Sequence, residues 1–211
     1  NHRDHYDGTR LGFNPTIKIK MNESTTLDLS YEHADHERYI DRGVPTENGE
    51  PVERFEKITF GGDDNLTTLK ANILRATLSK VFSDTRKGNL SIVSSDFEKM
   101  YKNYYASGYT AGATVVTMDG YLDPTERENT IISGNIVNEV GNHTLLVGVE
   151  LIDTTNENFR YNTFWSTTSD DNEVFNITRP MDFSVNSAGV ATSNDYTADL
   201  KSKTKSDIDV T

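Results

Sequence analysis

Apolar and polar residues alternate with period two along much of this chain. Over residues 11–21 the odd positions read Leu, Phe, Pro, Ile, Ile and Met, and the even ones Gly, Asn, Thr, Lys and Lys. Period two sends successive side chains to opposite faces, so this run predicts a strand with one apolar face and with Lys18 and Lys20 on the other. Turn residues Asn22, Glu23 and Ser24 follow, and Leu27, Leu29 and Tyr31 then alternate with Thr26, Asp28, Ser30 and Glu32, closing a hairpin. A second pair is predicted over residues 67–82 and 89–101, joined by the turn-forming "SDTRKG" of 83–88. Within it Leu69, Ala71 and Ile73 take one parity and Leu74, Ala76 and Leu78 the other, which predicts a bulge or a change of environment near Ile73. The third pair, 129–140 and 143–153, meets at Gly141 and Asn142, residues that accept the positive φ of a tight turn. Pro15 cannot donate to a ladder and so predicts a bulge or an edge position. Tyr31 falls near the outer end of its strand, where a membrane barrel would carry aromatic residues.

The connections carry the next step. Within pairs they are short; between pairs they run over residues 34–66 and 102–128 and from 154 onward. Compact domains favour connections of about 2 to 6 residues throughout, whereas transmembrane barrels put short turns at one end and long loops at the other. Residues 111–121, "AGATVVTMDGY", also have strand character, but a crossing there would put the Gly141 turn on the opposite side from the other two short turns. They are therefore assigned to an outer loop, as a hairpin rising above the membrane. The expected fold is an all-β antiparallel meander of about six strands with long loops, part of a large transmembrane β-barrel. The same alternation also fits a soluble β-sandwich binding carbohydrate or protein, in which Ile17, Leu29 and Val147 would share one buried core.

Composition narrows the chemistry. Hydrophobic residues make up 34% of the chain and charged residues 26%, and the net charge of −12 argues against nucleic acid as a partner. The absence of cysteine excludes disulfide frameworks, thiol catalysis and thiolate metal sites. No apolar run reaches the roughly 18 residues of a membrane-crossing helix, a test to which membrane strands are blind. His2 with His5 and His33 with His36 are spaced i, i+3, which does not converge on a strand, so no metal site is expected. No nucleophile elbow, zinc-protease, phosphate-loop or dinucleotide motif occurs, nor a calcium-loop pattern. Asp63 with Asp64 and Asp170 with Asp171 stand in solvated Asp- and Asn-rich loops; a glycosidase-like enzyme would have to use Asp63 and Asp170. The expectation is no enzyme and no cofactor. Glycosylation sequons beginning at Asn22, Asn65, Asn89, Asn142 and Asn176 do not discriminate in a chain so rich in Asn, Ser and Thr. The long connections hold Arg38, Tyr39 and Arg42, then Tyr104, Tyr105 and Tyr109, then Tyr161, Phe164 and Trp165. Such residues capture an anionic or catecholate ligand through cation-π contacts and charge-assisted hydrogen bonds, or pack the loops against one another. Arg38, Tyr39, Arg42, Tyr104, Tyr105 and Trp165 are the candidate ligand-binding residues.

"DRGVP" (41–45), "ENGEPV" (47–52) and "FGGDDN" (60–65), in that order, resemble a long mid-barrel loop of TonB-dependent ferric-siderophore receptors, with one additional glycine in the last step. "GYLDPTERENTIISGNIVNEVGNHTLLVGVEL" (120–151) is similar to the hairpin of that family in which an H-T-L-L-x-G-x-E strand follows a short turn. The resemblance implies the bacterial outer membrane, a barrel of about 22 strands filled by an N-terminal plug, surrounding lipid, a ferric-siderophore ligand, and energy delivered by the TonB complex through the plug. With about six crossings, no plug, no TonB-contacting box and no terminal aromatic residue, residues 1–211 are expected to be a partial barrel segment.

Overall fold

A computed structural model describes residues 7–61 and 65–210. Its strands are β1 (Gly8–Phe13), β2 (Thr16–Asn22), β3 (Thr25–Tyr39), β4 (Thr46–Glu47), β5 (Glu50–Pro51), β6 (Leu66–Ser83), β7 (Arg86–Gly108), β8 (Val115–Val140), β9 (His143–Asn162), β10 (Glu173–Asn176) and β11 (Asp199–Val210). All but β4 and β5 join one nine-stranded sheet along the path β1-β3-β6-β7-β8-β9-β11, with β2 also on β3 and β10 on β8. Every pairing is antiparallel and the sheet is open, not a closed barrel.

The strand over 11–21 breaks at residues 14–15 but does not slip. Leu11 faces Asp35 and Ile17 faces Leu29 in one continuous register, and the Pro15 carbonyl accepts the Tyr31 amide at 3.1 Å. Pro15 therefore occupies a sheet edge, where its missing donor costs no ladder bond. The bulge expected near Ile73 is absent: Ile73 lies between Glu32 and Ser95 in unbroken register. The change of parity there is a change of environment, with Leu74, Ala76 and Leu78 on one face low in the sheet and Leu69, Ala71 and Ile73 on the other face higher up.

One expected loop is not a loop. β7 continues to Gly108 and β8 starts at Val115, so residues 102–128 are mostly strand and the connection is only 109–114. Residues 34–39 and 154–162 likewise extend β3 and β9. Above the apolar stretch the band face turns polar and the other face is mixed, with Leu69, Ala71, Ile73 and Phe97 among charged side chains, so the alternation fades from the sequence while the backbone ladder continues. The long connections are 40–65 and 163–198, and the short turns at 23–24, 84–85 and 141–142 all lie at the opposite, lower end.

Unbroken registers carry face identity from strand to strand. One row reads Ile19, Leu27, Leu78, Leu90, Gly134, Val149, and the next Ile17, Leu29, Ala76, Ile92, Ile132, Leu151. This band is uncovered: Ile17 is 59% exposed, Leu90 55% and Val149 63%. Behind it the other face carries Lys18 paired with Asp28 at 3.2 Å, Thr77 bonded to Ser91 at 2.8 Å, Ser133 and Glu150. The shared sandwich core expected for Ile17, Leu29 and Val147 does not form; they lie on one face of a single sheet, with Val147 61% exposed. Tyr31 stands at the upper border of the band, in the middle of β3 and not at its end.

The β7–β8 hairpin climbs above its neighbours, which leaves both of its edges bare. On the β7 side Asn65, 0% exposed, continues the ladder with its side chain: Oδ1 accepts the Tyr104 amide at 2.7 Å, and Nδ2 donates to the Tyr104 carbonyl at 3.0 Å and to that of Ile40 at 3.3 Å. On the β8 side β9 ends opposite Tyr121, and β10 pairs with residues 115–118 in its place. The hydrophobic core gathers here, with Val52, Phe55 and Phe60 from one loop, Tyr104, Val116 and Met118 from the hairpin, and Trp165, Phe175, Met181 and Tyr196 from the other. Gly61 is required by contact, since a Cβ there would lie 2.0 Å from Asn65 Nδ2. Asn65 is therefore closed to a glycan, and Asp63 and Asp64 of the same motif, like His2 and His5, lie outside the described residues.

Losing three buried hydrogen bonds makes Asn65→Leu costly to this cover, by about 2–4 kcal/mol. Trypsin cleavage at Arg54 and Lys57 is expected to accelerate strongly in Asn65→Leu and in Gly61→Ala; cleavage at the unsubstituted rate would contradict the capping role.

Candidate functional site

Followed upward past the band, the same rows sort charge by face. The band face carries Asp35, Asp96, Glu98, Glu126, Glu128, Asp153 and Glu157, with Lys70 and Lys205 among them. At that height the opposite face carries Arg10, His36, Arg38, Lys99, Arg127 and Arg160, and its carboxylates among the described strand residues are Glu32, paired with Arg75 at 3.4 Å, Asp119, Asp123 and Asp199. Arg10, His36, Leu69 and Lys99 form one row; Arg38, Thr67, Tyr101, Asp123 and Arg160 belong to the row above. This face is hollowed by a cavity of about 730 Å³ whose charged lining is Arg10, Arg38, Lys99 and His36 against Asp7 and Glu37, with Leu69 and Phe97 as its apolar wall.

An aromatic cluster borders the hollow. The Arg42 guanidinium lies 5.0 Å from the Tyr105 ring centroid and 5.9 Å from that of Tyr121, donating to the Tyr121 hydroxyl at 2.9 Å and to Asn103 Oδ1 at 3.3 Å. Arg160 covers Tyr121 from 3.8 Å and pairs with Asp123 at 3.4 Å, and Tyr101 stacks on Tyr121 with centroids 5.7 Å apart. Burial pushes the Asp123 carboxyl up against the pull of Arg160 and Lys99, and its Oδ1 has no hydrogen-bond partner. Burial, and then the bond its hydroxyl donates to Asp119 Oδ2 at 2.8 Å, hold Tyr105 protonated up to about 12. The "DRGVP" and "ENGEP" segments set the loop that delivers Arg42. Asp41 Oδ1 accepts the Gly43 amide at 2.9 Å, and Asn48 and Gly49, with φ of 52° and 84°, close the β4–β5 turn with the two positive φ values of a type I′ hairpin.

The loop is pinned at a second point. Glu47 Oε1 accepts the Gly112 amide at 3.2 Å and the Tyr109 hydroxyl at 3.0 Å, and Arg54 pairs with it at 3.5 Å while donating to Tyr109. These groups, the Gly112 amide foremost, hold the Glu47 carboxylate below its ordinary range.

Of the six candidate residues, Arg38 lines the hollow, and Arg42 and Tyr105 form the cluster beside it. Tyr39, Tyr104 and Trp165 are buried at 4%, 7% and 1% exposure. Tyr104 stacks on Trp165 at 5.6 Å and Phe183 at 5.3 Å, and its hydroxyl accepts Asn194 Nδ2 at 2.7 Å, so these rings pack the loops together. Tyr161 stacks on Phe159 over the band face. His33 and His36 point to opposite faces, His33 Nδ1 donating to Asn72 Oδ1 at 2.7 Å and His36 lining the hollow. Arg10, His36, Phe97, Lys99, Tyr101, Tyr121 and Arg160 were not among the candidates; the signal that finds them is the parity of the band continued up each strand.

No protein-family model matches the chain, and no curated protein matches it.

Because the folded value for Tyr105 lies above the ordinary tyrosine range, the stability it contributes is whole below about pH 10 and is lost as pH rises through about 12. Ultraviolet titration of the folded chain against Tyr105→Phe is expected to assign Tyr105 to the late phase, and Asp119→Asn to move it earlier. Ionisation of Tyr105 together with the exposed tyrosines would contradict the assignment.

Proposed function

We propose that this chain forms part of the wall of a bacterial outer-membrane β-barrel receptor that takes up ferric siderophores, energised through TonB. The observation that carries this reading is the pairing of an uncovered apolar band on one face with a cationic, aromatic hollow on the other. An exposed aliphatic surface running across β2, β3 and β6–β9 is larger than soluble monomers normally leave to water, and acyl chains are its natural solvent. The polar face then looks into the lumen, with the short turns at the periplasmic end and the 40–65 and 163–198 connections outside. A ferric catecholate carries concentrated negative charge on aromatic rings. Arg38, Lys99, Arg10 and His36 supply the countercharge, while Phe97, Tyr101 and the Arg42–Tyr105–Tyr121 cluster supply surfaces for the rings. The role is binding and passage, with no covalent step. The plug and the coupling to TonB enter from the sequence resemblance.

Two measurements on the intact receptor test the reading. Ile92→Arg, on the band, is expected to lower folding into bilayers by about 2–4 kcal/mol, while Ser91→Arg, its neighbour on the lumen face, costs far less; equal costs would contradict a lipid-facing band. Arg38→Gln combined with Lys99→Gln is expected to weaken ferric-siderophore binding by roughly tenfold or more, whereas Tyr104→Phe leaves it unchanged. Full binding by the double variant would remove the hollow from the ligand path.

A further inference from the structure

The lower border of the band, at the short-turn end, has a chemistry of its own. Lys80 faces Gly88, and Gly88 faces Ile136, on the band face. Phe82 turns its ring over Gly88: a Cβ there would lie 3.3 Å from Phe82 Cε2 and 3.3 Å from Ile136 Cγ1. Phe82 is 53% exposed, and Lys80 Nζ lies 5.5 Å from its ring centroid. One row further down, Arg86 stands on the same face and donates from Nε to Asn138 Oδ1 at 3.1 Å, which steadies the guanidinium at the surface. Among the described strand residues of this face below the Leu78 row there is no carboxylate; Glu23 and Asp84 stand in the turns. The upper border is the reverse, crowded with acidic side chains.

Resting on the membrane-spanning reading, we propose that Lys80, Phe82 and Arg86 form a docking rim for the phosphates of anionic phospholipids in the leaflet at the short-turn end. An exposed ring beside two cations at the edge of an acyl-facing band matches the headgroup boundary: the ring sits at the ester level, and the long basic side chains extend to the phosphates. Charge complementarity selects this leaflet, since the acidic upper border repels the same headgroups. The rim thus sets both the depth and the orientation of the sheet.

The test is flotation of the full chain, refolded from urea in the presence of vesicles of pure phosphatidylcholine or of phosphatidylcholine mixed with phosphatidylglycerol. The unsubstituted chain is expected to associate with both and to favour the mixed vesicles. Lys80→Gln with Arg86→Gln is expected to reduce that preference roughly tenfold or more without changing association with pure phosphatidylcholine. Lys87→Gln, at the same height on the opposite face, should leave the preference intact. Equal association of the unsubstituted chain with both vesicle types, or an equal loss in Lys87→Gln, would overturn the rim while leaving the membrane reading standing. Absence of association with either vesicle would overturn both.

Discussion

The structure depends on an antiparallel ladder that holds its register across the apolar band from β2 to β9, its shifts at Lys20/Asn22, Val81/Ser83 and Ala106/Gly108 lying at strand ends outside the band. Side chains alternate by strict parity, so a ladder without slips fixes the face of every residue on every strand once one residue is placed. Ile17, Leu29, Ala76, Ile92, Ile132 and Leu151 fall into one row for that reason, and Lys18, Asp28, Thr77, Ser91, Ser133 and Glu150 lie on the opposite face. A single-residue slip between β6 and β7 would mix the two sets. It would also scatter the cations that now line the hollow.

The upper half of the sheet obeys a different constraint. The β7–β8 hairpin outgrows its neighbours, and each exposed edge is closed by a local device: the Asn65 amide on one side, and β10 on the other. Around those closures the two long connections bury Phe60, Tyr104, Trp165 and Phe175, forming the hydrophobic core of the described residues far from the apolar band. The chain therefore contains two apolar regions with opposite relations to solvent. One is sealed by its own loops; the other is left uncovered by everything in the described chain. That contrast between a buried cluster and an open band is what a soluble two-layer body lacks.

Much of the lower sheet was legible from sequence, because there the band imposes period two on Ile17, Ile19, Leu27, Leu29, Val147 and Val149, and the turns at 23–24 and 141–142 fix hairpin registers locally. The upper strands were only partly legible. Residues 102–108 and 122–128 meet mixed or polar surroundings on both faces, so no alternation distinguishes them from a loop, whereas the strand character of 115–121 is visible in the sequence and reads there as a hairpin above the band. The register of β3 against β6 was hidden as well, since the 40–65 connection is too long to fix it. For the candidate site this mattered directly. Arg38, Arg42 and Tyr105 were found by residue type, but Tyr104 and Trp165 have the same chemistry and are buried by packing. Arg10, Lys99 and Arg160 were missed because only the assembled rows bring them to one face.

The most direct test is a scan of single cysteines over residues 145–152 of β9 in the protein reconstituted in bilayers, in a chain whose own sequence contains no cysteine. Spin labels there report access to lipid-dissolved oxygen and to a water-soluble nickel complex. The account predicts access to oxygen at 145, 147, 149 and 151, and to nickel at the positions between them. Uniform protection from both reagents at the odd positions would show that a protein layer, and not lipid, covers the band.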